Sequence, residues 1–432
     1  MLLLTLFVIR RKKMNKKQIT TLFLLFLGYS IVYLDKQSMA FSLIPFTDQY
    51  GFNETDKGLI VSTFYLGIGL MQIPMGFLLN KLNTKWVIVG SLIIIGITAL
   101  LFSSISGSLW LFLAVRFISG MFGHTAYPPA STLAVNKVIP EDKKSFAQSI
   151  LLSSLGVAAL VGPLAFASLA EVKWQAIYWI VAGVALIAAF GFAVFMPKIE
   201  GKKEEESEPD LPIRSILNNP NLWLMAIGAA CVNFVVIGAA NLMPTYLAVN
   251  KELDMVSLGV LAALAGIFLL VGGIGSSFVI NKWFKGREGH FIGVSMILGV
   301  LVICLMPLIP SGVSGKFPLF IIMATGNLLT NAAFTVLYSL PLAMFKGKSF
   351  SPSFGIFSLG GIIGCVTPSI VIGKILDATG MDYKWMFISF IICAVILYIV
   401  MMLLRDNRIE DGVKGDIEQK EFVQVINKYH LR

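Results

Sequence analysis

Apolar runs of about 20 residues recur along this 432-residue chain, separated only by short polar breaks. Wound as a helix, one such run crosses a hydrocarbon core of roughly 30 Å, and inside lipid the backbone must bond to itself. The repetition predicts an all-α polytopic membrane protein. Twelve spans are expected, at residues 18–42, 57–80, 86–106, 109–136, 145–170, 174–196, 221–248, 256–281, 290–309, 317–344, 353–376 and 384–404. Composition agrees: 56% of residues are hydrophobic, 13% are charged and the mean hydropathy is +0.82. A soluble domain usually carries about 25% charged residues.

The net charge of +10 does not point to nucleic acid, because the basic residues are spread over many short loops. With the N-terminus placed in the cytoplasm, 26 Lys and Arg fall in cytoplasmic segments and 5 in outer loops. Such a bias puts both termini in the cytoplasm of a multi-pass plasma-membrane protein. Lys36, Arg116 and Lys374 remain, all within spans. The four cysteines also fall in spans, without CxxC spacing, and read as small buried residues rather than a disulfide or metal framework. In "MLLLTLFVIRRKK" the apolar run is too short for an anchor and precedes the positive charge. Residues 1–13 are therefore either a cytoplasmic segment or an over-called leader before a start at Met14.

Between the sixth and seventh spans lies "MPKIEGKKEEESEPDLPIRSILNNP", whose charge, prolines and lack of periodicity mark a linker. The expected organisation is a cytoplasmic segment 1–17, a six-helix bundle 18–197, the linker 198–217, a second six-helix bundle 218–405 and a cytoplasmic tail 406–432. The halves echo each other. "GFLLNKLNTKW" follows the second span and "GSSFVINKWFKGRE" the eighth, each a helix end rich in small residues running into Asn-Lys and a short basic loop. Two pseudo-symmetric six-helix bundles are the form of a transporter built from internal repeats.

"YLDKQ" places Asp35 beside Lys36 within the first span. A charge at the centre of a spanning helix costs about 2.5–3.5 kcal/mol on insertion scales, so such a residue defaults to a functional role. The alternatives are a salt bridge that locks helix packing, or a helix that ends earlier with the pair at the surface. Neighbours on a helix lie about 100° apart, so the two cannot serve each other and each must find another partner. Arg116, Gly120, Gly123 and Tyr127 follow at spacings of four, three and four, which makes one helical face. Asn233 and Asn241 in the seventh span, and Asn327 and Asn331 in the tenth, either bond substrate hydroxyls or glue helices together. Tyr33 and Tyr127 either stack on a substrate or pack. "GGIGSS" and "FSLGGIIGC" lie inside apolar spans with no strand before them and no GKS or GKT end, so they read as helix contacts rather than nucleotide loops.

The Gly76–Trp86 stretch resembles the signature between helices two and three of the major facilitator superfamily, with Asn80, Lys81 and Asn83 as departures. "YLDKQ", "QIPMG", "RFISGMFG", "YPPA", "GPL" and "LMPTYL" resemble, in order, motifs of its anion:cation symporters, the carriers of sugar acids, phthalate and sialic acid. The resemblance spans about residues 20–400 and thins after 290. It implies that Asp35 couples a proton and that Lys36, standing where the family has Arg, attracts the substrate carboxylate. A Lys keeps the charge but loses the planar fork that grips a carboxylate twice. The resemblance puts Arg116 on the substrate path, where the alternative is that it snorkels or neutralises an acid near the helix end, and makes Gln72 part of a family motif. It also puts an acid seven residues after that Arg, where this chain has Gly123 followed by His124. A histidine titrates near pH 6.5, so His124 is the candidate replacement; the alternative, commoner for a lone histidine in a helix, is a hydrogen-bonded structural residue.

The expected function is secondary, proton-coupled uptake of a small organic anion such as a sugar acid, by alternating access. The expected substrate-binding residues are Lys36, Arg116, Tyr33, Tyr127, Gln72, Asn233 and Asn331; Asp35 and His124 are the proton-coupling pair. No catalytic residue, metal or cofactor is implied, and the proton gradient supplies the energy. The partners are an anionic small molecule, protons and lipid, with the chain a monomer and not an enzyme. The alternative is an exporter of drugs or amphipathic compounds, which calls for a larger, more apolar cavity without paired cations.

Overall fold

The computed structural model describes residues 14–196, 217–284, 286–345 and 350–404. Residues 1–13, all but the last residue of the expected linker 198–217, and the tail 406–432 lie outside them. The described residues are helical throughout and contain no strand. We number the helices α1 (Lys16–Tyr50), α2 (Glu54–Lys81), α3 (Thr84–Ser104), α4 (Leu109–Val138), α5 (Glu141–Leu152) and α6 (Ser154–Phe195). There follow α7 (Pro220–Lys251), α8 (Met255–Val279), α9 (Glu288–Ile303), α10 (Lys316–Met344), α11 (Phe350–Thr379) and α12 (Lys384–Met402).

Eleven stretches of the described residues are long and apolar enough to cross a membrane, where twelve were expected. The difference lies at the fifth and sixth spans, which run as one stretch, Phe146–Phe195. Its hydrogen-bonding continues past a kink at Lys173, whose backbone is extended (φ −164°, ψ 106°) and joins two helical limbs. Lys173 places its ammonium 4.5 Å from the Trp179 ring centroid, just beyond the bend.

Helix starts follow from local side chains. Asn15 and Gln18 form a reciprocal capping box at α1, and Asn53 and Asp56 form another at α2, satisfying N–H groups that no earlier turn can bond. Between them Gly51 takes a left-handed conformation (φ 66°) that ends α1. Asn83, one of the signature departures, accepts the Lys85 N–H and caps α3.

Two apolar cores form, one from Leu22 to Met196 and one from Leu222 to Met401. In the first, Phe46 is ringed by Tyr50, Phe52, Phe102, Phe112 and Trp174, with centroids 4.7–5.6 Å away. The pairings repeat: α1 packs on α6 as α7 packs on α11. The cross-contacts are reciprocal too, with α2 against α11 and α8 against α6.

Glycines set how closely these helices approach. A Cβ at Gly360 or Gly364 would stand 2.1 Å from the Ala226 or Ala230 carbonyl oxygen of α7, and one at Gly272 would meet Leu328 O on α10 at the same distance. The two glycine-rich stretches are thus helix contacts, with backbone against backbone. Gly364→Val should lower the melting temperature by about 5 °C or more, since overpacking costs about 1–3 kcal/mol even where side chains can give way. Gly183→Val, where a side chain meets open space, is the matched control and should melt as the wild type does.

Candidate functional site

Asp35 and Lys36 sit midway along α1 and point to different places. Asp35 is 2% exposed and faces the interior of the first half. Lys36 is half-buried and faces α2, with its ammonium 5.1 Å from the Tyr65 ring centroid. The 100° step between neighbours separates the charges as the sequence required.

Around Asp35, α4 supplies two basic groups. His124 Nε2 lies 3.2 Å from Asp35 Oδ2, and Arg116 Nη1 lies 4.0 Å from the same oxygen. Neither forms an aligned hydrogen bond to Oδ2, and Arg116 Nε also lacks a partner. The His124 ring is set instead by carbonyls, with Nε2 3.2 Å from Val32 O and Nδ1 3.4 Å from Ser119 O. Carbonyl oxygens only accept, so an imidazolium can donate to both while a neutral ring can donate to one. Phe64 walls the cluster, its centroid 4.4 Å from Arg116 Cζ and 4.7 Å from the His124 ring. A narrow crevice bordered by Asp35, Phe102, Arg116 and Tyr178 has no room for a water molecule. One oxygen of Asp35 is thus left beside an imidazole and a guanidinium without an aligned hydrogen bond.

The spacing behind this cluster differs from the expected one. Residues 116 and 124 would lie about 80° apart on an unbroken α-helix. Ser119–His124 is a π turn, in which the Thr125 N–H bonds back five residues to Gly120 O. One residue is absorbed, and the two side chains return to within about 20° of one face. The same insertion breaks the expected Arg116, Gly120, Gly123, Tyr127 face. Gly120 abuts Phe64 O on α2, while Gly123 abuts Ile95 on α3, where a Cβ would stand 2.8 Å from Cγ1. Position 123 is therefore closed to a side chain, and position 124 meets Asp35.

On the other side of α1, residues of both halves converge on Lys36. Cys365 of α11 lies within electrostatic reach of its ammonium, and Asn241 of α7 faces the Tyr65 hydroxyl. Cys365 donates to Asn233 Oδ1 (3.4 Å), and Asn233 Nδ2 donates to the Tyr338 hydroxyl of α10 (2.8 Å). No carboxylate among the described residues is within salt-bridge range of Lys36.

Three expected binding residues lie elsewhere. Arg116 is 4% exposed inside the first half, held between Asp35 and two phenyl rings. Tyr127 is fully buried, its hydroxyl donating to Leu25 O (2.9 Å) and its ring filling the space that Gly28 leaves. Asn331 donates to Leu269 O (2.6 Å) and ties α10 to α8. Asn327 does the same through Ala265 O, so both are interhelical glue. Tyr33 is half-buried against Tyr29, ring centroids 5.0 Å apart, and Gln72 is exposed. Tyr65, Tyr338 and Cys365 were not singled out as site residues. Each is a lone polar tip in an apolar run, and only its helix's rotation decides what it faces.

The halves meet at one end of the helices. Asp377 of α11 accepts the Glu54 and Thr55 N–H groups of α2 (3.0 and 2.8 Å) and the Thr55 hydroxyl. Ser62 Oγ donates to Val366 O (2.6 Å), and Gly58 lies against Ser369 O. Toward the other end, Gly76, Gly275 and Gly355 face open space.

The Major Facilitator Superfamily model matches residues 25–342. The chain is 25% identical over 311 residues to the glycerol-3-phosphate transporter of Bacillus subtilis, covering 65% of this chain and 69% of that one. It is 24% identical over 408 residues to the "Probable galactarate/D-glucarate transporter GudP" of the same organism, covering 83% and 85%. A crystal structure of a mutant nucleoside transporter NupG superposes with a TM-score of 0.74 at 15% identity, covering 90% of this chain and all of that one, a likeness of fold.

Proposed function

The chain belongs to the Major Facilitator Superfamily, and from that premise we propose that it is a proton-coupled importer of a small organic anion. It is a multi-pass membrane transporter and not an enzyme. In the proposed arrangement, two six-helix bundles, 18–197 and 218–405, joined by the linker 198–217, rock about a midplane site. Counting the two limbs at Lys173 separately brings the spans to twelve. Both termini are cytoplasmic, the membrane is the plasma membrane and the unit is a monomer. With that orientation, the end sealed by Asp377 is the outer one and the cleft opens inward.

The observation that carries this is Lys36. Its ammonium lies half-buried between the halves with no carboxylate to neutralise it among the described residues. A charge left so in the membrane calls for an anionic partner, and both relatives above are named for the anions they carry. An exporter of amphipathic compounds would have no use for that cation. Glycerol 3-phosphate and D-glucarate are the first substrates to try. Asp35 with His124 holds the coupled proton, and Arg116 keeps the carboxylate in place, on the far side of α1 from the cargo.

In proteoliposomes with an acid exterior, Lys36→Gln should raise the apparent Km for the transported anion about tenfold or more, the worth of one charge-assisted bond. An unchanged Km would remove Lys36 from the substrate site.

A further inference from the structure

Asn233 has a single orientation that satisfies its surroundings. Its Nδ2 lies 2.8 Å from the Ala229 carbonyl, which can only accept, so the nitrogen must face that way. The same Nδ2 donates to the Tyr338 oxygen at 2.8 Å, and Oδ1 takes the Cys365 thiol at 3.4 Å. Tyr338 therefore receives a hydrogen bond and keeps its own proton. No acceptor for that proton is present among the described residues. The hydroxyl stands where only a glycine would fit, since a Cβ at Gly361 would come within 2.6 Å of it. The ring is fixed by stacking on Phe334 (4.4 Å) and edge contact with Phe357 (4.9 Å). Cys365 connects the two groups: it lies within electrostatic reach of Lys36 and donates to the Asn233 amide that holds the Tyr338 hydroxyl.

We infer that Tyr338 is a substrate-binding residue of the second half, donating its phenolic proton to an acceptor on the anion whose charge Lys36 holds. This deepens the anion-carrier reading above and rests on it. Asn233 acts through Tyr338 as a positioning residue: by donating to the phenol oxygen it polarises the O–H and aims it. The pair is a two-point clamp, a cation from the first half and a neutral donor from the second. It selects an anion with an acceptor at its other end, such as a hydroxyl or a second carboxylate, over a simple monocarboxylate.

The test uses purified full-length protein, with glycerol 3-phosphate, D-glucarate and acetate as probes in thermal-shift and proteoliposome uptake assays. Tyr338→Phe keeps the stacked ring and should leave the elution profile and Vmax unchanged while raising Km about tenfold for the probe that binds. Asn233→Ala should raise Km in the wild-type background and add little on top of Tyr338→Phe, a non-additivity that a packing role would not give. If Lys36→Gln raises Km and Tyr338→Phe does not, the clamp is overturned and the anion reading stands. If neither variant changes Km, or no probe but acetate binds the wild type, the clamp is overturned with the anion site as drawn.

Discussion

Asp35→Asn should abolish accumulation driven by a pH gradient while leaving exchange of labelled for unlabelled substrate intact. Asparagine has the size of a protonated aspartate and carries no charge, so it holds α1 and α4 as the protonated carrier would. What it removes is the change of state. The wild-type carboxylate lies 3.2 Å from His124 Nε2 and 4.0 Å from Arg116 Nη1, without a hydrogen bond to Oδ2. A buried acceptor left so costs about 1–3 kcal/mol, which binding a proton can recover. With one proton coupled, each pH unit of gradient supports about tenfold accumulation, and the variant should show none. Exchange does not require the proton to leave, so it should survive and show that the protein is folded and inserted. Normal accumulation in Asp35→Asn would rule out this carboxylate as the coupling group.

The membrane architecture was legible because hydropathy needs no knowledge of partners. The lengths were less so. The first span was expected to end at 42, yet α1 continues to Tyr50. Pro45 does not end the helix there, and Phe46 anchors the two extra turns among rings from four other segments. The break expected between 170 and 174 falls at Lys173, although backbone hydrogen-bonding runs through the bend. At the site, Asp35, Lys36 and His124 stood out because a titratable group within an apolar run is costly wherever it points. Arg116 was equally visible, but its place on the substrate path came from the resemblance, and the face assigned to it from a helical wheel of constant pitch. The π turn at Ser119–His124 alters that pitch by one residue, and no residue type announces it. Tyr338 and Cys365 were harder still. Their meaning lies in an Asn233 orientation set by a backbone carbonyl, and in which half of the molecule faces Lys36.

Asp377→Ala should open the end at which the halves meet, the outer one in the proposed orientation, and the effect should be large because three bonds meet on one carboxylate. The first turn of any helix has N–H groups with no partner inside it, and its dipole favours a negative charge there. In α2 those of Glu54 and Thr55 are taken by Asp377, which belongs to the other half of the protein. The Thr55 hydroxyl adds a third bond. Gly58 against Ser369 O and Gly373 against Glu54 O let the backbones come close enough for the carboxylate to reach. In the proposed alternating access this contact must break whenever the cleft faces outward. Losing it should shift the balance toward the outward-open form by about 2–3 kcal/mol, or roughly thirty- to a hundred-and-fiftyfold. The native Cys365, beside Lys36 at mid-depth, can report the shift. In a variant with Cys231, Cys304 and Cys393 replaced by alanine, a membrane-impermeant maleimide should label Cys365 at least tenfold faster from outside once Asp377 is alanine. Labelling from the inside should slow correspondingly, since the same molecules cannot occupy both forms. Equal rates from both sides in the two proteins would mean that Asp377 only caps a helix and does not hold the gate.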